Sequence, residues 1–209
     1  MPELQYPHLE STLPGFHDAR ALFKGNDDSI SSMDFKGDKF EFYRFVNRLR
    51  LATNFRGVLI DDYDSGTADA YAALTKLFLT WSTFEMYCTL CDSPYHGMFR
   101  YYAKSRTHQL ANDYWDNDRD GILIDFLIER SELHGQDYYL RQFADGNNLR
   151  AITVAACMRH IYAHGHLTAH PQGLSAEATT QICHLFADFI HRFIRDDFKR
   201  RLQVASQLH

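Results

Sequence analysis

From Lys39 onward the apolar residues recur at three- and four-residue spacing, the period of a helix with one buried face. Phe42, Phe45, Val46, Leu49 and Thr53 form the first such stripe, with Arg44, Arg48 and Arg50 mostly on other faces. A turn at residues 61–66 precedes a second helix over about residues 69–91, which Thr67 or Asp69 can cap. Its stripe runs Leu74, Leu77, Phe78, Trp81, Glu85 and Cys88, so Glu85 interrupts an otherwise apolar face. A third helical region, about 106–131, is broken by an acidic turn at 116–121. A short piece near 138–143 leads into the turn at 145–148. Residues 149–164 are apolar almost all the way round, the mark of a central buried helix, and Gly165 is placed to cap its C-terminus. The last helix, which Ser175 can cap, carries Ile182, Leu185, Phe186, Phe189, Phe193 and Ile194 and runs to about Ala205.

Residues 1–38 mix Pro7, Pro14, Gly15, Gly25 and Gly37 with polar residues. They predict an irregular N-terminal lead-in, with a short helix around 18–23, ahead of a domain spanning 39–209. The predicted fold is all-α, a helical bundle of four to five main helices. Composition agrees: 45% hydrophobic residues can fill a core, and only 11 glycines and 5 prolines argue against a turn-rich β-sandwich. No run approaches the roughly 20 apolar residues that cross a bilayer, so no membrane partner is expected. The first residues lack the basic and apolar runs of a signal peptide, and 4 cysteines do not make a disulfide framework. A cytoplasmic location is the expectation.

Net charge is −5, unevenly spread. Residues 150–209 hold seven Lys/Arg against four Asp/Glu, and seven of the 12 histidines. A local cationic surface can meet a phosphate even on an acidic chain.

The most chemical stretch is Arg159-His160-Ile161-Tyr162-Ala163-His164, followed by Gly165-His166. Cations at the end of a buried helix cost desolvation unless they meet a partner or a ligand. The plain alternative is that they satisfy the last carbonyls and suit the helix dipole. Glu85 either supplies a buried partner for Arg159 or sits at the stripe edge and reaches water. Five residues along an ideal helix place Arg159 and His164 about 140° apart and 7.5 Å along the axis, so they do not share a face. One ligand can meet both if the helix loosens at Gly165 or a second subunit completes the pocket.

These residues resemble the signature of the HEPN (higher eukaryotes and prokaryotes nucleotide-binding) superfamily: arginine, a polar residue, a short spacer and histidine. The flanking Tyr162 to Thr168, the capped helix from Ser175 and the Trp81-Ser82-Thr83-Phe84-Glu85 segment are similar too, over roughly residues 40–205. The long lead-in and an insertion-like region at 93–145 depart from the pattern. The resemblance implies a dimeric all-α domain, a metal-independent endoribonuclease acting on RNA with no cofactor. It further implies a toxin or defence effector, with a nucleotidyltransferase as antitoxin partner. The residue types suit that chemistry. His164 is cast as general acid/base, Arg159 as the clamp on the crowded phosphate and His160 as a second proton carrier, with Glu85 and Tyr162 in support. The alternative is a non-catalytic module that binds RNA, a nucleotide or a partner protein with the same residues.

Three other patterns have simpler readings. Asp116-x-Asp118-x-Asp120-Gly121 opens like a calcium-binding EF-hand loop but has Leu127 where a bidentate glutamate belongs, which favours an acidic cap for the next helix. Cys88-x-x-Cys91 with His160 and His164 has zinc-like spacing, yet Cys88 continues an apolar stripe and reads as core. The basic run from Arg192 to Arg201 reads as a solvated helix face, with nucleic-acid contact as its alternative.

Overall fold

The structure, a computed structural model, describes residues 9–25, 31–99, 102, 104–131 and 137–207, so residues 1–8 and 26–30 of the predicted lead-in lie outside it. It is an all-helical bundle, with no strand among the described residues. The α-helices in chain order are α1 (Leu9–Thr12), α2 (Phe16–Gly25), α3 (Lys39–Asn54), α4 (Ser65–Leu90), α5 (Tyr95–Met98), α6 (Lys104–Asn117), α7 (Ile122–Ser131), α8 (Asp137–Ala144), α9 (Ala151–Ala163) and α10 (Ala176–Gln207). The chain divides into two compact units, and α4 and α10 contribute residues to both.

Unit 1 comprises residues 1–54, 82–100 and 190–209. Its core is aromatic. Phe42 meets Phe16, Phe35 and Phe198 at ring-centre distances of 6.3 Å, and Phe45 lies 5.0 Å from Tyr87. The lead-in feeds this core: Leu9, Leu13, Phe16 and Ala19 are all buried. They recur at helical spacing, but Pro14 and Gly15 break the chain between them and hide the period in the sequence. The predicted helix over 18–23 is the middle of α2. At the start of α3, Asp38 and Glu41 cap each other's backbone. Asp38 Oδ1 accepts the Glu41 N–H at 2.8 Å and Glu41 Oε2 accepts the Asp38 N–H at 3.0 Å.

Unit 2 comprises residues 55–81 and 101–189. Helix α9 sits among α6, α7 and α8, and its residues 151–158 are buried without exception. The region that looked insertion-like thus supplies the helices that enclose α9. Asp118 explains how α6 turns into α7. It is 1% exposed, and its carboxylate accepts the N–H groups of Leu123 (3.0 Å) and Ile124 (3.1 Å) and the Tyr114 hydroxyl (2.6 Å). Gly121, at φ +70°, makes the turn and has no side chain to cap α7 itself. The EF-hand-like stretch is therefore a helix cap. At the start of α4 the cap is Asp64, which accepts the Thr67 N–H at 3.0 Å and the Thr67 hydroxyl at 2.6 Å. The predicted caps, Thr67 and Asp69, instead lie within the helix. Ser175 caps α10 as predicted, accepting the Ala178 N–H at 3.1 Å.

Candidate active site

Helix α9 carries its arginine, histidine and tyrosine only near its C-terminal end. Residues 151–158 fill the interior, whereas Arg159, His160 and Tyr162 are half-buried and His164 is exposed. The helix ends in a Schellman motif: His166 N–H donates to Ile161 O at 3.0 Å and Gly165 N–H to Tyr162 O at 2.9 Å. That closure requires a left-handed residue, and Gly165 supplies it at φ +74°. His164 is the last residue before the reversal, and its N–H still donates to His160 O at 3.2 Å. The two imidazoles meet edge to face, with ring centres 4.6 Å apart and planes at 62°. Two imidazoles thus lie side by side, His164 exposed and His160 half-buried with its Nε2 out of reach of water.

The wall behind them comes from α4. The Arg159 guanidinium lies 5.7 Å from the centre of the Phe78 ring, and Tyr162 meets the same ring edge-on at 6.4 Å. Thr75 donates its hydroxyl proton to Tyr71 O at 2.8 Å, so at its 2.8 Å contact with Tyr162 it accepts the phenol proton. Tyr162 therefore fastens α9 to α4. Phe78 stood on the predicted stripe of α4, but its pairing with Arg159 comes from packing and has no sequence signal.

The loop after His164 is tied down in the same unit. Thr67 has already given its hydroxyl proton to Asp64, so at the 3.1 Å contact it is His170 Nε2 that donates to Thr67 Oγ1. The Thr67 hydroxyl, and then its N–H, hold the Asp64 carboxyl below the usual carboxylate range. Gln172 adds a bond to Glu129 at 3.0 Å.

Glu85 belongs to unit 1 and Arg159 to unit 2. Glu85 is half-buried and lines an open cleft of about 460 Å³ with Cys88, Thr89, Asp92, Ser93, Pro94 and Tyr95. All four cysteines are buried thiols. Burial, before any neighbouring charge, raises their pKa values, to about 12 for Cys91 and Cys157. Cys88 and Cys91 are core residues of unit 1, and among the described residues no three His, Cys, Asp or Glu side chains gather as a metal site.

The basic run of α10 is not uniformly solvated. Arg192, Arg195, Lys199 and Arg200 are exposed, but Arg201 is 7% exposed. Its Nε donates to Asp197 Oδ2 at 2.8 Å, its Nη1 to Asp34 O at 2.6 Å, and its guanidinium lies over Phe35. Tyr87 also donates to Asp197 Oδ2, at 2.8 Å. A buried network at i and i+4 looks like surface charge in one dimension.

No protein-family model matches this chain, and the comparisons with curated proteins and with solved structures give no match either.

Proposed function

We propose that this chain is a metal-independent endoribonuclease of the HEPN type, cutting RNA through its own 2′-hydroxyl. The observation that carries this reading is the pair of imidazoles 4.6 Å apart at the end of a buried helix, one of them exposed, with Arg159 next to His160 in the chain. One imidazole takes the 2′-hydroxyl proton, and the resulting oxygen attacks phosphorus. The P–O bond to the 5′ oxygen breaks as the other imidazole protonates it. The products are a 2′,3′-cyclic phosphate and a 5′-hydroxyl. Arg159 offers a planar fork of donors to the phosphate as its charge builds.

Within one helix Arg159 and His164 point about 140° apart. A homodimer, in which one chain's arginine and the other's histidines face a single phosphodiester, is the arrangement that unites them. Toxin or defence activity in the cytoplasm, restrained by a nucleotidyltransferase antitoxin, belongs to the same proposal.

The test is purified wild type and His164→Ala incubated with RNA in EDTA. Cleavage by the wild type alone, leaving cyclic-phosphate ends, is the expected result. Equal inertness of both assigns the same residues to a non-catalytic module that binds RNA, a nucleotide or a protein.

A further inference from the structure

At the other end of α9, unit 2 presents a second group of residues that the cleavage chemistry does not use. Tyr138 and Tyr139, in the first turn of α8, are 60% and 38% exposed. They are held rather than loose. Gln142 Nε2 donates to the Tyr138 hydroxyl at 2.9 Å, and Arg150 Nε donates to Gln142 Oε1 at 3.2 Å. The Arg150 guanidinium lies 4.5 Å from the centre of the Tyr139 ring, and the two tyrosine rings are 5.3 Å apart. The short helical turn that carries Arg150 packs against α6, where Lys104 and His108 are exposed, and His108 Nδ1 lies 3.2 Å from Asn148 Nδ2.

Two adjacent exposed tyrosines offer ring faces and a polar edge, the combination enriched where proteins make contacts. Here a side-chain chain of hydrogen bonds fixes the orientation of Tyr138, and a stacked arginine extends Tyr139. Flat π-faces beside a guanidinium plane, with His108 against the same turn, match a ligand that is itself flat and anionic. We infer that Tyr138, Tyr139 and Arg150 form a stacking platform for unpaired bases of single-stranded RNA. As the RNA substrate it names rests on the nuclease reading, the platform would hold the strand about 20 Å, the length of α9, from His164. A paired duplex presents no free base faces and is a poor ligand for it.

The experiment uses full-length His164→Ala, so that binding is read without cleavage, and fluorescein-labelled oligoadenylate by anisotropy. Tyr138→Ala and Tyr139→Ala are each expected to weaken binding about ten-fold without changing its salt dependence, since stacking is an uncharged contact. Tyr138→Phe and Tyr139→Phe keep the rings and are expected to retain most of the affinity. The duplex of the same strand with oligouridylate is expected to bind more weakly. The platform is overturned if the parent does not bind oligoadenylate, if both alanine variants bind like the parent, or if phenylalanine loses as much as alanine. Tyrosine-dependent binding by a chain whose wild type never cuts RNA leaves the platform standing and removes only the nuclease.

Discussion

Arg201 in unit 1 and Arg159 in unit 2 each lie over a phenylalanine, at 5.4 Å from Phe35 and 5.7 Å from Phe78. Their surroundings differ in kind. Arg201 is anchored by a carboxylate and a backbone carbonyl, and that carboxylate is itself tied to Tyr87 and Arg200. Arg201 and Asp197 are turned onto each other and onto protein groups, and little of the Arg201 charge is left for a ligand. Arg159 stands just before the last turn of a helix, and the next residue and the cap residue are histidines, one of them in water. The first cation holds loop, helix and helix together; the second stands beside two imidazoles, one of them exposed. The cation with histidine neighbours therefore stands where a buried helix ends, not where basic residues are densest in the sequence.

The largest expected effects separate the two. His164→Ala should lower RNA cleavage about 10²–10⁴-fold, the usual worth of a positioned proton carrier, while its urea midpoint moves little because the side chain is exposed. Arg201→Ala should do the reverse to stability, costing about 3–5 kcal/mol by leaving Asp197 half-buried without its main partner. Chemical denaturation of both variants reads the contrast directly. A His164→Ala chain that unfolds as readily as Arg201→Ala would show that the histidine pair is a structural cap. Asp118→Ala comes next, at about 3 kcal/mol, because three donors lose one buried acceptor. Asp118→Asn keeps part of that and should fall between.

The helices were legible because their faces are periodic. Residues 149–164 read as a buried helix from composition alone, and Gly165 as its cap; the helix itself is Ala151–Ala163, and Leu149 lies before it and is exposed. The lead-in was not legible, because Pro14-Gly15 divides Leu9, Leu13, Phe16 and Ala19 into fragments too short to show a period. Nor was Arg201, since burial of one arginine in a run of five basic residues depends on Asp34 and Tyr87, which are far away in sequence. In the candidate site, His160 and His164 share a face by their four-residue spacing, and the structure places their rings together. The Phe78 and Thr75 backing was hidden because contacts between helices leave no local pattern. Glu85, which the sequence offers either as a partner for Arg159 or as a stripe-edge residue that reaches water, is half-buried and lines a cleft of unit 1.

Acid should weaken the unit 1 network by a moderate amount. Burial pushes the Asp197 carboxyl up, but hydrogen bonds from Arg201 and Arg200 more than offset it, so its pKa lies below the usual value. A carboxyl lowered on folding contributes stability above its unfolded pKa and loses that contribution as pH falls through the folded one. The urea midpoint should therefore drop below about pH 3.8, and Asp197→Asn, already weaker at neutral pH, should drop less steeply. On the alkaline side the buried thiols act with the opposite sign. Cys91 and Cys157, raised to about 12 by burial, favour the fold while neutral, so stability should decline as pH rises above about 9. Native protein at neutral pH should resist a thiol-specific reagent until urea opens it, whereas rapid labelling of any of the four would contradict their burial.

The smallest effect bears on Tyr162, which stands between the two kinds of role. Its hydroxyl donates to Thr75 and its ring packs on Phe78, so its contacts belong to the scaffold even though its neighbours in sequence are His160 and His164. Tyr162→Phe removes one hydrogen bond and leaves Thr75 Oγ1 still donating to Tyr71, so stability should fall by only about 1 kcal/mol. Cleavage should change by no more than a few-fold, since the ring still backs Arg159 through Phe78. If Tyr162→Phe instead lost activity as severely as His164→Ala while keeping its urea midpoint, the phenol would have to leave Thr75 and take part in the proton transfers. The boundary between scaffold and chemistry would then run through the last turn of α9, not behind it.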